Sequence, residues 1–157
     1  MEKSKKSIAN YYNKLFIIYD ELYGKEQDDK FSLAKEIFDF NGTILDVGCG
    51  NGFITNRIKD AVGVDISFDM VKGVKKGLLA DAECLPFKDK SFEHAVSFTV
   101  LQDTPHPKKM IEEMRRVSRG DILISVLNQT WDKKRFEDMG YKVKKFKDGE
   151  KDVIVVI

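Results

Sequence analysis

The sequence predicts an α/β fold with a doubly wound, mostly parallel seven-stranded sheet, a C-terminal antiparallel hairpin and an N-terminal helical cap. Short apolar runs alternate with amphipathic stretches from residue 43 onward, which is typical of strand–helix–strand units. The first of these runs ends in the glycine-rich segment 48–52, where a strand of such a sheet gives way to a turn. Asp148-Gly149 separates the last two runs and indicates a hairpin.

The first 40 residues form the predicted cap. Apolar and aromatic side chains recur at three- and four-residue spacing between residues 4 and 39, which favours helices. Gly24 is predicted to end the first helix, and a second helix is expected at about 28–38. Asn41-Gly42 then forms a turn before the sheet begins.

Seven strands and four further helices are expected after this turn. The predicted strands are 43–47, 61–65, 78–81, 92–98, 121–127, 141–146 and 152–157. The predicted helices are 53–59, 68–76, 107–118 and 130–139. Parallel strands joined by right-handed crossovers place helices on both faces of the sheet, which is a Rossmann-like arrangement.

Length and net charge limit the number of domains and the kinds of partner. The 157 residues suit a single domain, 1–157, whose core would be 41–157. The net charge of +1 gives no overall attraction to nucleic acid or to an anionic membrane. Between Lys108 and Lys151, however, 13 basic residues face 8 acidic ones, which fits either a solvated surface or a weak patch for RNA or phosphate. We expect no membrane association, and the oligomeric state, monomer or homodimer, stays open.

The two cysteines, Cys49 and Cys84, are too few for a disulfide framework and favour a reducing, cytoplasmic setting. Together with two scattered histidines they lack the spacing of a metal site, so no metal is expected. No run of about 18 apolar residues and no signal-peptide core is present in the sequence.

The strongest chemical signal is the segment Asp46-Val47-Gly48-Cys49-Gly50-Asn51-Gly52. Its three alternate glycines let the backbone turn tightly and approach a ligand, at the strand end where such sheets bind ligands. Phe53 stands where a dinucleotide-binding loop needs Gly or Ala, and it would crowd a pyrophosphate. The Gly-Lys-Ser/Thr of a phosphate-binding P-loop is also missing, so both nucleotide-binding classes, dehydrogenases included, are disfavoured.

The run Ile44–Gly52 resembles motif I of the class I S-adenosylmethionine (SAM)-dependent methyltransferases. The similarity continues through the segments 64–67, 81–87, 91–93 and 112–117, so that it covers roughly residues 40–127. It is greatest to the broad subgroup that includes the ubiquinone- and menaquinone-biosynthesis methyltransferases. The resemblance implies an enzyme that transfers a methyl group from SAM to an acceptor.

The resemblance also assigns residues to the cofactor. The loop residues Asp46, Gly48, Cys49, Gly50 and Gly52 would lie beneath the methionine and ribose of SAM. Asp65 would accept hydrogen bonds from the ribose hydroxyls, although it also fits as a helix cap. The remaining implied contacts are Ile66, Asp81 and Ala82 around the adenine, Phe98 beside the transferred methyl group, and Tyr19 from the cap. Asp81 also fits as a loop residue bonded to its own backbone, and Tyr19 as simple helix packing.

Methyl transfer from a sulfonium needs mainly positioning, and a base only where the nucleophile must lose a proton. Asp103 and His106 are the weak candidates for this base, since they follow the fourth predicted strand; His94, inside that strand, fits a packed histidine better. The acceptor, whether a small molecule, an RNA or a protein, is not indicated. The alternative to an active enzyme is a non-catalytic SAM-binding subunit that regulates a partner protein.

Overall fold

A computed structural model describes residues 4–157 of the chain. Seven strands form one sheet in the order β3-β2-β1-β4-β5-β7-β6. The strands are β1 (Ile44–Val47), β2 (Ala61–Asp65), β3 (Gly77–Leu79), β4 (His94–Phe98), β5 (Ile122–Leu127), β6 (Lys145–Asp148) and β7 (Asp152–Val156). The first five strands run parallel, while β7 pairs antiparallel with both β5 and β6. The predicted fold class is therefore confirmed, including its C-terminal hairpin.

Five α-helices accompany the sheet in this part of the chain. They are α1 (Lys5–Leu15), α2 (Tyr19–Lys35), α3 (Phe68–Val71), α4 (Pro107–Val117) and α5 (Lys133–Asp138). A 3₁₀ turn at Phe16–Ile18 separates α1 from α2. None of the helices between residues 4 and 157 combines the length and the apolar character needed to cross a bilayer.

The core has two layers because the sheet is covered on both faces. On one face, α4 turns Met110, Ile111, Met114 and Val117 inward at helical spacing, and all four are fully buried. The other face packs against the C-terminal end of α2 and the residues just after it, where Ala34 and Phe38 join the buried side chains of β1, β4, β5 and β7. This two-sided cover explains why the central strands are continuously apolar.

Three helix predictions are wrong. The first cap helix was expected to end at Gly24, but α2 runs straight through it. A Cβ at that position would make ordinary van der Waals contact with the Phe53 ring, at 3.7 Å, so the packing does not require a glycine there. The predicted helix 53–59 is only a 3₁₀ turn, Thr55–Arg57, because the chain must return at once to the start of β2.

The predicted helix 68–76 stops after Val71, and Gly77 begins β3 instead of ending that helix. A Cβ at Gly77 would lie 2.7 Å from the carbonyl oxygen of Val71, so the absence of a side chain lets the strand start against α3. Strand β3 thus ends at Leu79, two residues earlier than predicted, and Asp81 lies in the loop that follows.

Candidate functional site

The glycine loop follows β1 at the carboxyl edge of the parallel strands. Gly48, Gly50 and Gly52 all have positive φ angles of 75°, 54° and 82°, a region that strains residues with a side chain. A Cβ added at Gly48 would clash with the side chain of Val100. A Cβ at Gly50 would instead meet no atom of the described residues within 4 Å, so this part of the loop borders open space.

Asp65, the last residue of β2, is bonded to this loop. The Gly50 amide donates to its Oδ2 atom at 2.8 Å, and the Ser67 amide donates to Oδ1 at 2.8 Å. Burial raises the pKa of Asp65, and these amide hydrogen bonds only partly oppose the effect. The helix cap of α3 is Ser67, whose hydroxyl accepts from the Met70 amide, so capping does not account for the Asp65 side chain.

Asp46 is the most buried carboxyl group of the loop region, with 2% of its surface exposed. The Thr55 hydroxyl donates to its Oδ2 atom at 2.6 Å. Its Oδ1 atom is buried and has no hydrogen-bond partner among residues 4–157. Burial raises the pKa of Asp46 to about 7, although the Thr55 hydrogen bond acts in the opposite direction. An orphaned carboxylate oxygen at this place fits a ligand that carries a cationic donor.

A cavity of about 760 Å³, including its open mouth, lies against the loop and the strand ends. Eight of the eleven residues predicted to hold SAM line it: Gly48, Gly50, Asp65, Ile66, Asp81, Ala82, Phe98 and Tyr19. Asp103, one of the two candidates for a base, lines it as well.

Four other predicted residues are not part of the lining of this cavity. Asp46 and Cys49 border a smaller hollow behind the loop, which they share with Gly48, Gly50, Phe98 and Tyr19. Gly52 lies behind the loop, where a Cβ would meet Val74 and Asn56. His106, the residue just before α4, is exposed, and its backbone amide donates to the Glu83 carboxylate. It is not among the described residues that line the cavity.

His94, the other histidine, is tied to the backbone. Its Nδ1 atom accepts from the Asp121 amide at 3.1 Å, and its ring packs on Phe38 at the opposite end of β4 from Phe98. This agrees with its expected packing role.

Helix α1 covers the cavity by contacts that the sequence did not indicate. The Tyr12 hydroxyl donates to Asp103 at 3.4 Å, and the Ser67 hydroxyl donates to Asn13 at 2.5 Å. Lys5 and Ile8 also line the cavity, so the first helix faces the same space as Asp65. The aromatic residues of the cap were recognisable from their spacing, but the polar contacts join residues more than 50 positions apart.

Lys5 forms ion pairs with two carboxylates that line the cavity together with it. Its ammonium lies 2.7 Å from Asp81 Oδ2 and 2.8 Å from Glu83 Oε2. The Glu83 amide donates to Asp81 Oδ1, which is the local loop contact that the sequence left open as an alternative. Burial alone would raise the pKa of Asp81, but the Lys5 ammonium and the Glu83 amide together lower it below its ordinary value.

We expect Lys5→Ala to raise the pKa of Asp81, because the main cation that stabilises its charged form is removed. Carboxyl-carbon NMR titration of Asp81 measures this shift. Lys6→Ala is the matched control, since Lys6 is exposed and belongs to the same helix. An Asp81 pKa that is the same in the Lys5 variant as in the Lys6 variant would contradict the proposed ion pair.

The fold and this site together define the class of SAM-dependent methyltransferases: an open sheet, a glycine loop after the first strand and carboxylates after the second and third. Residues 45–124 match the family model described as a methyltransferase domain. The chain therefore belongs to this methyltransferase domain family.

Similar proteins agree with that assignment. The chain is 37% identical over 127 residues to an uncharacterised protein of Methanocaldococcus jannaschii, a match that covers 76% of this chain and 50% of the relative. It is 29% identical over 134 residues to the ubiquinone/menaquinone biosynthesis C-methyltransferase of Burkholderia mallei, covering 72% of this chain and 55% of that enzyme. The chain thus spans about half the length of these relatives.

Among solved structures, the fold is similar to that of magnesium protoporphyrin IX methyltransferase from Synechocystis with bound SAM. The TM-score is 0.75 at 17% identity, and the match covers 97% of this chain and 95% of that protein. At this identity the likeness establishes the shared fold.

Proposed function

We propose that the chain binds SAM in the cavity at the carboxyl edge of β1, β2 and β4 and transfers its methyl group to an acceptor. The observation that carries the proposal is the pair of carboxyl groups around the glycine loop, buried Asp46 and half-buried Asp65. Asp65 is held by the loop amide of Gly50, and Asp46 has an oxygen without a partner among the described residues. Asp46 Oδ1 lacks a donor among residues 4–157, whereas each Asp65 oxygen already accepts one backbone hydrogen bond and can accept a further one. SAM has an ammonium group and a ribose diol that could supply these donors.

Each predicted residue has a role in this proposal. The ammonium of SAM would pair with Asp46 Oδ1, and Asp65 would accept from the ribose hydroxyls. Ile66, Ala82 and Asp81 would contact the adenine. Phe98 and Tyr19, which border both hollows beside the loop, would flank the reacting end. Bound SAM supplies an electrophilic methyl group on a positively charged sulfur.

The protein's main task in this reaction is to hold the acceptor in line with the methyl group. Of the two residues predicted as a base, Asp103 lines the cavity, whereas His106 is an exposed residue at the start of α4. We therefore propose Asp103 for any proton transfer and no direct role for His106. The Tyr12 hydroxyl that bonds Asp103 remains a neutral donor, since burial and the nearby carboxylate raise the pKa of Tyr12.

We further propose that the N-terminal helices cover the site in the working enzyme as one domain with the sheet. Lys5, Ile8, Tyr12 and Tyr19 line the same cavity as Asp65, which supports this role. Both cysteines are free thiols in the described chain, which supports a reducing compartment such as the cytoplasm.

Calorimetry with SAM and with its demethylated product tests the proposal. Asp65→Ala should weaken binding by about 1–3 kcal/mol, because hydrogen bonds from the ribose to a charged acceptor are lost. Asp69→Ala is the control, since Asp69 lies four residues further along and pairs with Lys72 at the surface. If neither compound binds more tightly than millimolar, or if Asp65→Ala binds both as well as the unchanged protein does, the assigned site is wrong.

Transfer of a labelled methyl group into cell extract tests the catalytic part separately. Label in the small-molecule, RNA or protein fraction identifies the kind of acceptor. SAM binding without label in any fraction would favour the alternative, a non-catalytic SAM-binding subunit.

A further inference from the structure

Thr99, the residue that follows β4, has a backbone conformation that is unusual for its type. Its φ angle is 59°, in the left-handed region that glycine tolerates and β-branched residues avoid. Among the non-glycine residues of the described chain, only Lys90 also has a positive φ. Such strain persists where the surroundings hold a residue in place, and it is typical of functional sites.

Three polar side chains hold the Thr99 hydroxyl. The Lys30 ammonium donates to it, and it lies 3.4 Å from Asp152 Oδ1 and 3.3 Å from the Ser125 hydroxyl. Lys30, Ser125 and Asp152 are all buried. Because this cluster is shielded from water, its polar contacts are stronger than the same contacts at a surface.

The backbone of Thr99 is fixed as well. Its amide donates to the Ser125 carbonyl at 2.9 Å, which continues the pairing of β4 with β5. Its carbonyl accepts from Gln102 Nε2 at 2.9 Å. Of the contacts to Thr99, the one from Lys30 is the contact that comes from α2, so Lys30 connects this residue to the cap.

The turn at Thr99 determines where the chain goes after β4. Val100, the next residue, packs so closely on the glycine loop that a Cβ at Gly48 would lie 2.3 Å from its Cγ2 atom. The 3₁₀ turn Leu101–Asp103 follows, and Asp103 lies on the wall of the proposed SAM cavity. Thr99 and Val100 line the same cavity. A change of φ at Thr99 would therefore displace this wall.

Given the proposed SAM binding, we infer that Lys30 is a positioning residue for the cofactor site. Through the Thr99 hydroxyl, it holds the turn after β4 in a left-handed conformation that an unrestrained threonine rarely adopts. Lys30 is not among the described residues that line the SAM cavity, so its effect on SAM passes through Thr99 and Val100. The cap helix α2 is thereby coupled to the glycine loop.

The size of the effect depends on how much of the protein has this turn in its left-handed form. The apparent dissociation constant of SAM rises as that fraction falls, because the left-handed form is the one that offers the complete wall. A residue with a Cβ disfavours the left-handed region, whereas glycine populates it readily. Glycine at position 99 should therefore impair SAM binding less than alanine does, which reverses the usual order within regular structure.

Three substitutions at Thr99 test the inference, with the affinity for the demethylated product of SAM measured by calorimetry. Thr99→Ala removes the hydroxyl but keeps the strain, so we expect about tenfold weaker binding than in the unchanged protein. Thr99→Gly removes both and should bind about fivefold more tightly than Thr99→Ala. Thr99→Ser keeps the hydroxyl and should also bind more tightly than Thr99→Ala. Thr130→Ala is the matched control, because the exposed Thr130 hydroxyl donates to the Leu127 carbonyl at the surface.

Lys30→Met tests the positioning role directly, both alone and together with Thr99→Gly. Alone it should weaken binding about fivefold, whereas in the glycine variant its further effect should be less than about twofold, since no strained residue is left to hold. Circular dichroism verifies that each variant is folded, and backbone carbon chemical shifts report whether residue 99 leaves the left-handed region. Lys35→Met, at an exposed position of the same helix, is the control. If Lys30→Met does not fold, the three Thr99 variants decide the question.

The outcomes are distinct. Thr99→Ala that binds as tightly as the unchanged protein or as Thr99→Gly, or an effect of Lys30→Met that is equal in both backgrounds, would overturn the inference while SAM binding stands. Weaker binding by Thr99→Ala than by Thr99→Gly, with a smaller effect of Lys30→Met in the glycine variant, would support it. Failure of the unchanged protein to bind SAM or its product would instead overturn the proposed function on which the inference rests.

Discussion

Lys30→Met is expected to lower the free energy of unfolding by about 3–5 kcal/mol, the usual cost of removing one partner from a buried ion pair. Methionine keeps the length and the apolar stem of the side chain but leaves Asp152 without its cation. Asp152 is only 6% exposed, and burial already raises its pKa despite the opposing effect of Lys30. Equilibrium unfolding in urea at neutral pH measures the change.

The control is Lys35→Met, one turn and a half further along α2, where the lysine is exposed and lies over the Phe31 ring. This change should stay within about 0.5 kcal/mol. The double variant Lys30→Met/Asp152→Asn should recover much of the loss, because it removes the uncompensated charge as well. If Lys30→Met lowers the free energy of unfolding by less than about 1 kcal/mol, which is the value of an exposed ion pair, then Lys30 does not form a stabilising buried ion pair with Asp152.

The size of this effect follows from what Lys30 connects. It extends from α2, in the helical cap, to Thr99 after β4 and to Asp152 at the start of β7. The cap is otherwise attached near the site by partly exposed contacts, such as Lys5 with Asp81 and Tyr12 with Asp103. Lys30 is therefore a buried polar link between the covering helices and the sheet.

The sheet was predictable from the sequence because its strands are short apolar runs separated by turn residues. Strand β2 was predicted residue for residue, and the Asp-Gly hairpin signal correctly indicated the antiparallel edge. Buried parallel strands impose this pattern, since both of their faces are covered. The long helix α4 was equally clear, because four buried side chains recur at helical spacing.

The short helices were less predictable because tertiary contacts decide their ends. Nothing in the local pattern shows that α2 continues through Gly24 or that β3 starts against the Val71 carbonyl at Gly77. A glycine inside a helical pattern is ambiguous between an ending and a close approach. Both glycines were interpreted as helix ends, whereas Gly24 lies inside α2 and Gly77 allows β3 to start close to Val71.

The site also contains residues that were predictable from the sequence and residues that were not. Asp65, Asp81 and the glycine loop follow strand ends, and the carboxyl ends of parallel strands meet at one edge, so their assembly was predictable. Lys5 and Lys30 were missed because a lysine in a cap helix normally faces solvent. One signal existed for Lys30: it shares the spacing of Gln27 and Ala34, the buried face of α2.

Asp46→Asn should remove a pH dependence of stability that the unchanged protein shows between about pH 4 and pH 7. The folded protein holds the Asp46 proton up to a pKa of about 7, compared with an ordinary value of 3.8. A raised pKa stabilises the fold fully below the ordinary value, and this contribution is lost as the pH rises through the folded value. The difference in unfolding free energy between the two proteins should therefore fall by up to about 1.4 kcal/mol per pH unit in this window.

Urea unfolding at a series of pH values checks this, and asparagine is the fitting replacement because it can still accept the Thr55 hydrogen bond but cannot ionise. A difference that stays constant, or that grows with rising pH, would show that the folded protein does not hold this proton.

The raised pKa of Asp46 also bears on the proposed binding of SAM. The charged form of Asp46 costs stability in the free protein because its Oδ1 atom lacks a donor among the described residues. A ligand ammonium at that oxygen would supply the donor. It would thereby stabilise the charged form of Asp46, which burial disfavours in the free protein.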